Sequence, residues 1–314
     1  MIAYYEMTPD GQLKQGFSEK NADWVHFETP TKHEMHHFAK KYHLPTMLFE
    51  VAQDIDEVAR YETFTTDTGE QLTHICLLVP VKTQDSESHT EYITRPFSMI
   101  VNQDKILTVG HQQEDFFNTV LKMKWPDTKI GTVVLKSISM IYHQYLLALG
   151  IVKQQINQLE ENVHFSMRNQ FLYALKALKK SVVYLDLGLK SNQQIFPQLE
   201  KSPLFDEVPE EATLLYRINL QFAKSDKAIT TYKELLEQLS DLLSDIISNR
   251  LNLIMKTLTS ISIVLTIPTI IGGFWGMNVP VPLANSNKGF LLLLGLSGIV
   301  SGLVGWWLKK KDYF

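Results

Sequence analysis

The chain has 314 residues, 45% of them hydrophobic and 20% charged, with a formal net charge of -4. So small a charge, with no Lys/Arg cluster interleaved with aromatics, excludes nucleic acid as a partner. A single cysteine, Cys76, excludes an intrachain disulfide framework.

The first residues carry neither a basic n-region nor a long apolar h-region, so no signal peptide is expected. Residues 1–256 read as water-soluble and are expected to stay in the cytosol. Within residues 1–125, stretches 24–27 and 75–79 read as strands, the second a buried one. Residues 99–101 and 106–109, joined by Asn102-Gln103-Asp104 and Lys105, read as a hairpin. Residues 31–43 read as a helix stopped by Pro45. The region is expected to be an α/β domain with a mostly antiparallel or mixed sheet, because regular βαβ spacing is missing.

From about Asp127 the pattern turns helical. Residues 126–209 are expected to form a helical hairpin, over 130–165 and 167–194, followed by a loop holding Pro197, Pro203 and Pro209. A third, longer helix follows. No Gly occurs between Gly188 and Gly272, and no Pro between Pro209 and Pro268. Apolar residues recur at steps of three and four through Leu215, Ile218, Phe222, Ile229, Tyr232, Leu236, Leu239, Leu243, Ile246 and Leu253, with Ser225 and Arg250 as polar members. A 3.5-residue period predicts helices supercoiled on partners, here a multi-chain stalk of roughly 60 residues, about 90 Å long. Glu210 and Glu211 suit the positive end of its dipole.

Two runs are long and apolar enough to span a bilayer. Nothing ionisable occurs from Thr257 to Asn287, nor from Gly289 to Leu308, and Lys309-Lys310-Lys311 follows. Arg250 and Lys256 precede the first run, so the positive-inside rule places both termini in the cytoplasm. The expected division is a stalk continuing into the first span over 210–278, an outer loop at 279–289, a second span at 290–308 and a basic tail at 309–314.

Thr259, Ser262, Thr266, Thr269 and Gly273 form one polar or small face of the first span. Such a stripe can line water or hydrogen-bond between packed helices. Gly295, Gly298, Gly302 and Gly305 form a small stripe on the second span, which reads as packing, with Trp306 and Trp307 as an aromatic belt. Two spans cannot enclose a path alone, so a pore requires an oligomer.

Gly276-Met277-Asn278 at the end of the first span, a short outer loop, a second span and a basic tail resemble the CorA family of divalent-cation transport proteins. Residues 267–278 are similar to that family's signature region, and residues 249–252 and 255–259 to its approach to the membrane. Residues 56–62 and the hairpin near Ile106 resemble its cytosolic domain. The resemblance covers nearly the whole chain. It implies a CorA-like homopentameric funnel in the plasma membrane, one pore helix per chain, that passes Mg2+ inward. It also implies that Gly276, Met277 and Asn278 form the filter, with hydrated Mg2+ at Asn278. Thr269 and Thr266 are expected as a deeper oxygen ring, and Met255 and Leu258 by family position as an apolar gate. The alternatives are a Zn2+ or Co2+ transporter of the same fold and a non-transporting membrane-anchored sensor.

Two departures from the family stand out. The outer loop has no carboxylate. Arg217 stands where the family implies an acid that senses cytosolic Mg2+, although Asp206, Glu207, Glu210, Glu211 and Asp226 lie nearby. No phosphate-binding Gly-Lys-Ser/Thr loop occurs, which argues against an ATP-driven pump, and no enzymatic activity is expected.

His33, Glu34 and His37 match the zinc-protease pattern H-E-x-x-H, with His43 at the place of a third ligand. The extended motif needs Gly where Lys40 stands. In a continued helix His43 would lie about 240° round from His37. An exposed, histidine-rich helix is the reading kept.

Overall fold

The structure, a computed structural model, describes residues 1–8, 10–51, 54, 56–66, 69–85, 89–102, 104–111, 115–125, 129–162, 169–277 and 288–311. The chain divides into two compact units, Met1–Gln238 and Leu239–Phe314.

The first unit is built on a seven-stranded sheet. Its strands are β1 (Ile2–Met7), β2 (Leu13–Gly16), β3 (Trp24–Glu28), β4 (Arg60–Thr65), β5 (Gln71–Gln84), β6 (Thr90–Val101) and β7 (Ile106–Gly110), in spatial order β2-β1-β3-β7-β6-β5-β4. Only β3 and β7 pair in parallel, with Trp24 opposite Ile106 and Phe27 opposite Val109. All other pairs are antiparallel. The sheet is therefore mixed, as the lack of βαβ spacing implied. The β6–β7 hairpin falls where two apolar runs around a polar turn predicted it, closed by Asn102 N–H donating to Lys105 O at 3.1 Å. Gln103 lies outside the described residues.

One flank of the sheet carries α1 (Lys32–Lys41) and α2 (Met47–Glu50), which bury Met35, Phe38, Leu48 and Phe49 with Val25, Phe27, Ile100 and Leu107. After α3 (Asp115–Leu121), the long helices α4 (Ile130–Asn162) and α5 (Asn169–Gln194) pack on β5 and β6. They match the expected hairpin. Its turn, with Phe165 and Met167, lies outside the described residues, as does Asp127.

Asn192 of α5 completes the sheet. Leu78 lies just beyond the last β4 partner, Cys76, so its N–H and C=O, which point to that side of β5, have no strand to pair with. The Leu78 N–H donates to Asn192 Oδ1, and Asn192 Nδ2 and the Tyr145 hydroxyl donate to Leu78 O, each at 2.8 Å. A buried peptide group that the strands leave unpaired is thus satisfied by two helices.

A short helix α6 (Phe196–Leu199) precedes α7 (Glu211–Trp275), one helix of 65 residues. Within the first unit its heptad face is already covered: Ile218, Ser225, Ile229 and Leu236 are almost fully buried inside this single chain. The heptad over this stretch therefore reflects packing within the chain, and the multi-chain stalk loses that pattern as its support. A 3.5-residue apolar period looks the same whether its partner is self or another copy. Asp186 of α5 pins this part of α7, accepting from Lys233 Nζ at 2.6 Å and pairing with Lys190 at 3.0 Å. Burial alone would raise the Asp186 carboxyl, but the hydrogen bonds from Lys233 and Lys190 hold it below the usual range.

The second unit holds the end of α7 and α8 (Gly289–Lys310). Both helices are long and apolar enough to cross a membrane.

Replacing Asn192 by Ala leaves the buried Leu78 N–H without an acceptor, while Tyr145 still serves Leu78 O, and should cost about 1–3 kcal/mol. Thermal or denaturant unfolding of the purified protein measures this, and a loss below about 0.5 kcal/mol would contradict the role given to Asn192.

Candidate functional site

A helix turns by about 100° per residue, so its exposed and covered faces can be read directly. In the membrane segment of α7 the covered residues are Ser260, Val264, Ile267, Ile271 and Trp275. On α8 they are Gly289, Leu293, Ser297, Val300, Ser301, Val304, Gly305 and Leu308. Ser301 Oγ lies 3.5 Å from Val264 O, which places the two faces against each other.

The polar stripe Thr259, Ser262, Thr266, Thr269 and Gly273 lies on the other side of α7 and is exposed along its whole length. It takes no part in packing against α8. Its hydroxyls instead donate back to their own helix: Ser262 to Leu258 O at 2.9 Å, Thr266 to Ser262 O at 2.7 Å and Thr269 to Leu265 O at 3.1 Å. This matters chemically. A hydroxyl whose proton is committed to the backbone presents only oxygen lone pairs outward. Such a face accepts hydrogen bonds from water and suits a hydrated cation better than an anion.

The same face continues toward the N-terminal end of the span through Leu258 and Met255, both more than half exposed. Oxygen-bearing and apolar positions therefore follow one another along a single line. At the other end, Gly276 N–H donates to Gly272 O at 2.9 Å and Met277 N–H reaches Phe274 O at 3.4 Å, so the helical turn persists just past Trp275. Asn278 and loop residues 279–287 lie outside the described residues.

The glycine stripe of α8 differs from its expected role. Only Gly305 faces α7. A Cβ built on Gly295, Gly298 or Gly302 would meet nothing within 4 Å. The contact face is set by Ser297, Ser301 and Leu308, about a third of a turn away. Sequence reading missed the Ser260–Trp275 face because Val, Ile and Trp look lipid-facing. Its only signal was the buried serine at steps of four, three, four and four.

No group of three or more His, Cys, Asp or Glu side chains that could hold a metal occurs among the described residues. Of the acids near Arg217, Glu207 pairs with Lys129 at 3.1 Å.

Residues 19–310 match the model of the family described as CorA-like Mg2+ transporter protein. The chain is 23% identical to the cobalt/magnesium transport protein CorA of Methanocaldococcus jannaschii, over 96% of each chain. It is 23% identical to the protein of the same name from Thermotoga maritima, over 76% of this chain and 70% of that one. The complete structure of the CorA magnesium transporter from Methanocaldococcus jannaschii superimposes with a TM-score of 0.78 at 18% identity, covering 100% of this chain and 99% of that one.

Two constellations that imitate enzyme sites have structural explanations. In the H-E-x-x-H segment, Glu34 is the capping-box residue of α1: its carboxylate accepts from Thr31 N–H and Thr31 Oγ1, each at 2.8 Å. The helix stops at Lys41, and His43 adopts a positive φ of 53° beyond it. The absence of a third ligand thus follows from the helix end, not from a continued helix. In the sheet, His74 bridges Ser98 Oγ at 2.8 Å and Glu62 at 3.3 Å, the order of a Ser-His-acid triad. His74 and Ser98 are fully buried, so no substrate can reach the hydroxyl. Equilibrium dialysis should find zinc binding unchanged in His37→Ala, and a stoichiometric zinc lost on that substitution would restore the protease motif.

Proposed function

The chain belongs to the CorA-like Mg2+ transporter family, and from that premise we propose that it passes Mg2+ into the cytosol through a homopentameric pore lined by α7. The observation that carries this reading is the exposed oxygen face of α7, turned away from α8 with its hydroxyl protons already committed. Five such faces around one axis make a tube of acceptor oxygens. The relatives named as cobalt/magnesium transport proteins support Mg2+ as cargo and Co2+ as a second ion.

Mg2+ holds its waters tightly in octahedral geometry and sheds them slowly. A ring of Asn278 carboxamides, with the backbone of Gly276 and Met277, accepts hydrogen bonds from those waters and selects the hydrated ion by size. Neutral oxygens attract the ion without trapping it, as conduction requires. Thr269 and Thr266 form the next acceptor ring. Met255 and Leu258 close the cytoplasmic end by dewetting. The driving force is the membrane potential, roughly 4–5 kcal/mol per divalent ion at 100 mV inside-negative. With no carboxylate in residues 279–287, selection falls to Asn278 without help from a charged mouth. Both termini lie in the cytosol, in keeping with the flanking lysines.

Asn278→Ala should lower Mg2+ uptake by roughly tenfold or more, the loss expected for an acceptor of charge-assisted hydrogen bonds. Uptake in a host that cannot grow without added Mg2+ measures it, with assembly checked by native mass. A correctly assembled variant with parental uptake would contradict the filter.

A further inference from the structure

A helix inside lipid has no water to satisfy a stray carbonyl, and α7 contains the one residue type that creates such a carbonyl. Pro268 has no N–H, and its ring crowds the carbonyl four residues back, that of Val264. α7 nevertheless runs as one helix from Glu211 to Trp275. Beside the freed carbonyl stands Ser301 of α8, its Oγ 3.5 Å from Val264 O. That separation is long for an O–H···O bond and closes with a small approach of the two helices. Gly305, one turn along α8, lies on the same face: a Cβ there would stand in ordinary contact with Val264 Cγ2, at 3.7 Å.

The next carbonyl, that of Leu265, points toward the other side of α7 and accepts from Thr269 Oγ1 at 3.1 Å. The two carbonyls at the proline thus have separate partners. One is served by α8, the other by a threonine of the exposed oxygen face.

We infer that Ser301 is a positioning residue: it satisfies the carbonyl that Pro268 frees and so fixes the direction in which α7 presents Thr266 and Thr269. Without it, the Val264 carbonyl has no donor in lipid, and α7 relieves the defect by bending or by local rewinding. Either change rotates the oxygen ring. α8, which lines nothing, then sets the pore's geometry through one hydroxyl. This inference rests on the pore reading of the threonine stripe, so its test carries a second readout that needs no transport.

Four full-length variants decide it: Ser301→Ala, Ser301→Thr, Pro268→Ala and the Pro268→Ala/Ser301→Ala pair. Mg2+ flux into liposomes and amide hydrogen exchange over residues 265–273 are read for each. Ser301→Ala should lower flux about three- to tenfold, the range for one hydrogen bond between membrane helices, and should speed exchange. Ser301→Thr should stay near the parent in both readouts. Pro268→Ala returns an N–H to the Val264 carbonyl, so in that background Ser301→Ala should change flux by less than about twofold. An equal loss in both backgrounds would reduce Ser301 to a packing residue and overturn the inference, as would unchanged exchange in Ser301→Ala with Pro268 present. A parent protein that moves no Mg2+ would sink the pore reading instead, and the exchange data would still judge Ser301.

Discussion

Lipid offers a backbone no hydrogen bonds, so every peptide group in the membrane segment of α7 has to be satisfied by protein. The arrangement of the second unit follows from that constraint. It requires a helix. It gives the helix a face for α8, along Ser260, Val264, Ile267, Ile271 and Trp275. On the face that α8 leaves uncovered, the hydroxyls of Ser262, Thr266 and Thr269 donate back to carbonyls of their own helix. The outward result is a line of lone pairs on the face that α8 leaves uncovered.

The first unit meets the same need by other means. Where the end of β4 leaves Leu78 without strand partners, Asn192 and Tyr145 supply them from α5 and α4. Asp186 ties α5 to α7 through Lys233. These buried or half-buried polar links fix one arrangement of sheet and helices, where apolar packing alone would tolerate sliding.

Much of this was legible in the residues. The stretch 31–43 before Pro45 marked α1, the polar turn at Asn102 between two apolar runs marked the β6–β7 hairpin, and the uncharged runs marked both apolar helices. Pairings between distant strands were not legible, because the parallel β3–β7 contact joins residues about eighty positions apart and neither strand encodes its neighbour locally. The heptad of α7 is ambiguous for a physical reason: Ile218, Ile229 and Leu236 would show the same spacing against helices of their own chain as against another copy. The polar stripe was visible, but that α8 packs on the opposite face of α7 became legible only from the contact of Ser301 with Val264. The glycine stripe of α8 was visible too, and only Gly305 serves the contact expected of it.

Cysteine accessibility along α7 tests the water-lined face most directly. Cys76 is buried and provides a quiet background. Single cysteines at Ser262, Thr266 and Thr269 should react with a small water-soluble thiol reagent in the assembled protein and be shielded by Mg2+, while those at Val264, Ile267 and Ile271 stay unlabelled. Labelling of the Val264, Ile267 and Ile271 positions in place of the hydroxyl face, or labelling without helical periodicity, would contradict a pore lined by α7.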